Sequence, residues 1–282
     1  MWVSVPGASP IFCRRWPGQG WPVVILHGAW QESADYAGVA ERLSGWGLDV
    51  WVPDLRGFGR SPGHRCHIGS FEEYRRDLVA LLAAVGRARG GGTAPGTPAT
   101  RVIALGHSMG ALLALDLALA VPDGVAAVVA SAPLLQFAPG AGPRPWERMA
   151  LRWLGKLMPT YTVRRHPGRS GDLRNEPRTM TLRWSAELLR LQARVRRGLT
   201  QLRCPVLFLC GQKDRLADFR PLVRQVESAR SSTWSLRLLP RQGHELLTGS
   251  ERESTLREVE DWLVSLGLLP GAHRRAVSTP AP

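Results

Sequence analysis

The chain has 282 residues, enough to bury a large core in one domain with an insertion, and carries 37 basic against 23 acidic residues for a formal net charge of +14 at pH 7. Only Lys156 and Lys213 are lysine, so an arginine-biased composition accounts for the charge, and no recognition motif or Gly-aromatic interleaving accompanies it; nucleic-acid binding is set aside. Met1 to Pro10 has no basic n-region or long apolar stretch, and no apolar run reaches about 18 residues, so the expectation is a soluble, cytoplasmic protein.

Trp21 to His27 predicts a strand entering a loop. The loop opens His27-Gly28-Ala29-Trp30, either a tight turn only or a turn that aims the Ala29 amide at a reacting group. Ala34 to Gly45 predicts a helix ended by glycine, Leu48 to Pro53 a strand, and Phe71 to Val85 a helix with Leu78, Leu81, Leu82 and Val85 on one face. Gly90 to Thr100 is rich in Gly, Pro and Thr and predicts a flexible surface loop.

The strongest signal follows. Val102 to Leu105 predicts a buried strand and Ala111 to Ala120 a helix apolar nearly all round, with Gly106-His107-Ser108-Met109-Gly110 between them. That is a strand-turn-helix elbow, in which glycines two residues either side of a strained serine let neighbouring chain pass without Cβ clashes. The hydroxyl then stands clear at a helix N-terminus.

Gly124 to Ser131 predicts the next strand, after which the alternation breaks. Residues 134–200 read as an insertion over the sheet, with 14 basic and 4 acidic residues. Trp146, Met149, Ala150, Trp153, Leu154, Leu157 and Met158 recur at helical spacing opposite Glu147, Arg148, Arg152 and Lys156. This amphipathic helix is either a lid packed on its own domain or a lid whose apolar face makes peripheral contact with a lipid surface. Trp146, Trp153 and Leu157 are its expected substrate-binding residues. A second cap helix near Thr181 to Arg197 puts Trp184, Leu188, Leu191 and Val195 on one side.

Cys204 to Gly211 and Trp234 to Leu239 predict strands, Ser254 to Leu266 a final helix, and Gly267 to Pro282 a disordered tail. The expected organisation is an α/β core from 1–133 and 201–269, a helical cap from 134–200 and a tail from 270–282, the core being a mostly parallel central sheet with helices on both faces. Cys13, Cys66, Cys204 and Cys210 show no metal-ligand spacing and read as unpaired thiols; no metal or cofactor is expected.

A serine hydroxyl needs a general base, and the base a partner that fixes its tautomer. In this kind of sheet the order is serine, acid, histidine, with the partners at the ends of later strands. Asp214 follows the strand Val206 to Leu209 in Cys210-Gly-Gln-Lys-Asp214, and His244 follows Trp234 to Leu239 in Pro240-Arg-Gln-Gly-His244. Asp218 competes with Asp214 for the acid. His107 adjoins the serine but points away on an elbow, and His64, His67, His166 and His273 sit in loops or the tail. Main-chain amides of Ala29 and Met109 are the expected donors to a tetrahedral oxyanion.

With these pieces in view, the chain resembles the α/β-hydrolase serine hydrolases, in particular the monoacylglycerol lipase and lysophospholipase-like branch, from Ile11 to Leu266. The matching segments are His27-Gly28, Asp54-Leu-Arg-Gly57-Phe-Gly59-Arg-Ser61, Gly106-His-Ser108-Met-Gly110, Gly211-Gln-Lys-Asp214 and Gly243-His244-Glu-Leu-Leu. The resemblance implies Ser108, Asp214 and His244 as the triad, Ala29 and Met109 as oxyanion donors, and a structural role for Asp54 to Ser61. After His27-Gly28 the chain departs, reading Ala-Trp-Gln-Glu-Ser where those lipases have a glycine followed by Glu-His. The reading is a cofactor-independent hydrolase of carboxylic esters working through an acyl-enzyme on a small-molecule acyl ester, with head group, chain length and oligomeric state open. Ser108 argues against epoxide and haloalkane hydrolases, which use an aspartate; a thioesterase, haloperoxidase-like or peptidase activity, or a catalytically silent binding module, are the alternatives on the same fold.

Overall fold

Apolar runs of five to seven residues between turn signals bury both faces when they pair side by side, and five strands of the main sheet do so along their whole length. The computed structural model describes residues 1–90, 100–165, 178–229 and 233–269. In chain order the elements are β1 (Trp2–Val5), β2 (Ala8–Trp16), β3 (Pro22–Leu26), α1 (Ala37–Gly45), β4 (Asp49–Pro53), α2 (Glu72–Ala88), β5 (Val102–His107), α3 (Met109–Ala120) and β6 (Val125–Ser131). Then come α4 (Pro145–Leu157), β7 (Thr162–Arg165), β8 (Arg178–Thr181), α5 (Leu182–Gly198), β9 (Val206–Gly211), α6 (Arg220–Ala229), β10 (Trp234–Leu239) and α7 (Arg252–Ser265). The main sheet has the order β1-β2-β4-β3-β5-β6-β9-β10. All neighbours from β4 to β10 are parallel, and β2 runs antiparallel to both β1 and β4.

Strand alternation divides the core between the two faces. Val24, Leu26, Ala104, Val128 and Phe208 join the cluster that includes residues of α2, α3 and α5, while Val23, Ile25, Ile103, Val129 and Leu207 join the one that includes residues of α1 and α7. Helix α3 is buried nearly all round because the sheet lies beneath it and α2 and α5 flank it. This is the expected α/β architecture.

Several boundaries differ from expectation for local reasons. The first predicted helix begins as a 3-10 turn at Ser33–Tyr36 before α1. The segment 134–200 is not purely helical: β7 and β8 form a separate two-stranded antiparallel sheet between its helices. Residues 267–269, read in sequence both as the start of the tail and as the end of the core, belong to the core: Gly267 turns at φ +69° after α7 and Leu269 is buried against the α1 and α7 face. Residues 270–282 and most of the loop predicted at Gly90 to Thr100 lie outside the described residues.

The Asp54 to Ser61 segment behaves as a turn lock. Asp54 accepts hydrogen bonds from the Ser33 and Arg60 amides at 2.6 and 2.8 Å, and the Ser61 hydroxyl donates to the Asp54 carbonyl at 2.6 Å while accepting from the Phe12 amide. Gly59 fits there because a Cβ would lie 2.3 Å from the Asp54 carboxylate, and its φ is +53°.

Candidate active site

The elbow forms where β5 runs into α3. Ser108 has φ +54° and ψ −112°, outside the regions a side chain prefers. A Cβ on Gly106 would lie 2.2 Å from the Gly110 carbonyl oxygen, and one on Gly110 would lie 2.0 Å from the Leu26 carbonyl oxygen, so both positions require glycine for the turn to close over β3. The Ser108 amide donates to the Ser131 carbonyl at 2.9 Å, which fixes the turn to β6.

Asp214 lies beyond β9 and His244 beyond β10, neighbouring parallel strands, so both loops open at the same edge as Ser108. His244 Nε2 is 2.9 Å from Ser108 Oγ, and His244 Nδ1 is 2.7 Å from Asp214 Oδ2. With Nδ1 protonated toward the carboxylate, Nε2 is the acceptor for the hydroxyl proton. The other carboxylate oxygen, Oδ1, accepts from the Leu216 and Ala217 amides at 2.7 and 2.9 Å. Burial alone would raise the Asp214 carboxyl, but the hydrogen bond and charge of His244 and the two amides outweigh it and hold the group below its ordinary value. Asp218, the competing acid, instead pairs with Arg220 at 2.8 and 3.0 Å.

Ala29 and Met109 both line the cavity beside Ser108, and among the described residues neither amide donates a hydrogen bond. The turn carrying Ala29 is held from below by His27. Its Nδ1–H donates to the Gly28 carbonyl at 2.7 Å and its Nε2 accepts from the Leu55 amide at 3.0 Å. That arrangement needs a neutral ring, and burial lowers the His27 pKa from 6.5 to about 4. His27 therefore contributes stability that is complete above pH 6.5 and is lost as pH falls toward 4, when the unfolded imidazole takes a proton that the buried one refuses. The expected loss is about 3 kcal/mol across that window. Thermal melts at pH 7 and pH 4.5 check it, and a His27→Asn protein should show a smaller difference between them.

His107 comes closer than its place on the elbow suggests. It makes no hydrogen bond to Ser108, yet its ring centroid lies 5.0 Å from that of His244 and its Nε2 is 3.4 Å from Glu245 Oε2. His107, His244 and Glu245 offer ligand atoms within 4.8 Å of one another. Both nitrogens of His244 are engaged by Ser108 and Asp214, and Glu245 Oε2 already accepts from Gln31 and Thr248, each at 2.9 Å. The donor set thus serves a hydrogen-bond network better than a cation.

Above these groups lies a cavity of about 510 Å³. Its walls include Leu134 and Phe137 after β6, Leu151 of α4, Met180 of β8, Trp184 and Leu188 of α5, and Leu216 after β9. The expected wall residues Trp146, Trp153 and Leu157 are not among them; they are 61, 65 and 75 % exposed. The physical reason is the small residue at the helix seam. Gly155 lets α4 approach α5 closely, a Cβ there lying 3.0 Å from the Leu182 carbonyl oxygen, so the side through Glu147, Leu151 and Gly155 turns inward. The bulky stripe is left facing out. Neither Gln31 nor Glu245 is distinguishable in sequence as part of the site, because their meeting depends on loops 214 residues apart.

Comparison with known proteins bears on the family and the fold. The family described as "Serine aminopeptidase, S33" matches residues 20–251. The monoglyceride lipase of Mus musculus is 27 % identical over 274 residues, covering 90 % of this chain and 86 % of that protein. The monoacylglycerol lipase of Mycolicibacterium smegmatis is 28 % identical over 256 residues, covering 86 % of this chain and 88 % of that protein. Among solved structures, the Paleococcus ferrophilus monoacylglycerol lipase superposes with a TM-score of 0.77 at 24 % identity, over 90 % of this chain and 98 % of the other, a likeness of fold. The chain belongs to the serine aminopeptidase S33 family of α/β-hydrolases, and its sequence is similar to those of monoacylglycerol lipases.

Proposed function

We propose that this hydrolase cleaves carboxylic esters of the monoacylglycerol type through an acyl-enzyme on Ser108. The observation that carries the reading is the unbroken relay Ser108–His244–Asp214, at 2.9 and 2.7 Å, opening into a mainly apolar cavity. His244 takes the Ser108 proton as Oγ attacks the ester carbonyl, then returns it to the departing alkoxide. Water repeats the cycle on the acyl-enzyme. The Ala29 and Met109 amides stabilise the oxyanion, each worth roughly 3 to 4 kcal/mol in comparable sites. The segment 134–200 serves as the cap over the acyl chain. No cofactor takes part in these steps. Four buried thiols suit a cytoplasmic setting.

Monoacylglycerols and p-nitrophenyl esters of rising chain length test the reading, together with mass-spectrometric location of a fluorophosphonate adduct. Hydrolysis of both substrate sets with the adduct on Ser108 is expected; labelling elsewhere, or no turnover of any ester, would overturn it.

The exposed face of α4 supports the lipid-facing alternative over a lid packed on itself. Trp146, Met149, Trp153 and Leu157 form one outward stripe, and the exposed Arg148, Arg152 and Lys156 lie between it and the buried seam. Such a helix suits an anionic lipid surface. Replacing both Trp153 and Leu157 with Ser is expected to weaken partition onto phosphatidylglycerol vesicles by about tenfold or more, since each buried side chain is worth roughly 1.5 to 3 kcal/mol. Turnover of dissolved p-nitrophenyl acetate should stay unchanged. Vesicle sedimentation and a soluble assay on the same preparation decide it.

A further inference from the structure

The departure of this chain from the lipase pattern falls on Trp30, and the structure gives that residue an unusual backbone. Its φ is +64°, a left-handed region that a bulky side chain disfavours. Such a conformation persists only where the surroundings over-determine it. Here they come from the cap and from the loop that carries it. The indole Nε1–H donates to the Thr179 carbonyl of β8 at 3.1 Å, and the ring lies against Trp184 of α5 with centroids 6.2 Å apart. The Trp30 carbonyl accepts from Arg65 at 3.0 Å. Arg65 adjoins Cys66, whose carbonyl accepts from the Thr181 amide at 3.1 Å and ties β8 to the core.

The same turn is held from the opposite side by other groups. Gln31 Oε1 accepts from the Gly28 amide and the Tyr36 hydroxyl, both at 2.8 Å, and Gln31 Nε2 donates to Glu245 Oε2. Core and histidine loop thus fix Gly28 and Gln31, and the cap fixes Trp30. Ala29 lies between the two clamps. Without the cap contacts, Trp30 has a backbone reason to leave the left-handed region, and Ala29 moves with its neighbour.

We infer that Trp30 is a positioning residue that makes the oxyanion pocket depend on a seated cap: β8 and α5 hold Trp30 in its strained conformation, and Trp30 holds the Ala29 amide on the reacting carbonyl. The inference rests on the proposed role of Ala29. It has a consequence that a simple wall residue lacks. A residue that only shapes the acyl pocket affects long-chain esters, through KM. A residue that positions an oxyanion donor affects kcat even for an acetyl group too short to reach the cap, because the oxyanion exists only beyond the ground state.

The test compares Trp30→Phe with Trp30→Gly on p-nitrophenyl acetate. Phe keeps an aromatic ring and the strain but loses the N–H that grips Thr179. Gly loses the grip as well, yet accepts φ +64° at little cost. Trp30→Phe is expected to lower kcat about tenfold with KM within about twofold, while Trp30→Gly retains more activity than Trp30→Phe. Hydrogen exchange of the peptide spanning Gly28 to Gln31 should speed up in Trp30→Phe, a readout that needs no turnover. Unchanged kcat and exchange in a folded Trp30→Phe protein, or a Trp30→Gly protein less active than Trp30→Phe, would overturn the inference. If Trp30→Phe does not fold, a folded Trp30→Gly with near wild-type kcat supports the strain argument and one with collapsed kcat refutes it. A Ser108→Ala control separates the two claims: acetate hydrolysis surviving that change sinks the proposed mechanism and leaves the exchange result to judge Trp30.

Discussion

Ser108→Ala is expected to reduce kcat for ester hydrolysis on the order of 10⁶-fold, and His244→Ala by a similar factor, with the double variant no worse than either single one. The reason is that the two groups act as a unit: an unactivated hydroxyl is a weak nucleophile, and a base with no nucleophile beside it has nothing to deprotonate. Their 2.9 Å contact is the geometric basis for treating them together. Ser108 is 6 % exposed but its hydroxyl faces the cavity, so Ser108→Ala should leave far-UV circular dichroism and Tm close to wild type. A folded Ser108→Ala protein with substantial turnover, or additive losses in the double variant, would show that another residue supplies the nucleophile.

Asp214→Asn is expected to cost about 10⁴-fold in kcat, with little change in Tm. Asn retains an oxygen for the Leu216 and Ala217 amides that Asp214 Oδ1 now satisfies, so the loop after β9 keeps its shape. Its amide nitrogen, however, then faces His244 Nδ1 across the position of the 2.7 Å bond. A donor there forces the proton onto Nε2, and that nitrogen can no longer accept from Ser108. Asp218→Asn should stay within about twofold of wild type, since its carboxylate serves Arg220 at the surface. Parallel kcat measurements on the two variants decide the assignment, and the reverse order of severity would move the acid to Asp218.

The parts of the fold legible in sequence are those whose cause is local. The strands β3 to β6 and β9 are mostly apolar and buried along their length because both faces are covered, and the elbow announces itself through glycines whose absence the turn cannot tolerate. Asp214 and His244 are readable because each directly follows its strand. The N-terminal β1 and β2 do not stand out, since β2 mixes buried Ile11, Phe12 and Cys13 with exposed Ala8, Ser9 and Pro10. Helix α6 is one-sided in its apolar spacing but only ten residues long, and it fully buries Leu222 alone. For α4 the spacing locates the apolar stripe but not its orientation, because the inward side is chosen by how closely Gly155 approaches α5, a tertiary fact. Trp30, Gln31, His107 and Glu245 are likewise hidden: their partners lie on other elements, and no window along the chain contains both ends of such a contact.

The manner in which α5 joins the core bears on how this protein can be rebuilt. Its Trp184, Leu188, Leu191 and Val195 belong to the same buried cluster as α3, and Arg194 grips Asp116 of α3 through two bonds of 2.7 and 2.8 Å. Gln192 also donates to the Leu134 carbonyl at 2.7 Å from a buried position. Deleting 134–200 as a cassette would therefore strip one wall from the helix behind Ser108 and leave the buried Asp116 with only the 4.0 Å contact to Arg75 in place of its two close bonds to Arg194. The replaceable module is narrower. Replacements within 134–200 have to preserve α5 and the β8 strand that holds Trp30 and Cys66, and exchange only α4, so the boundary for grafting falls inside the insertion rather than at its ends.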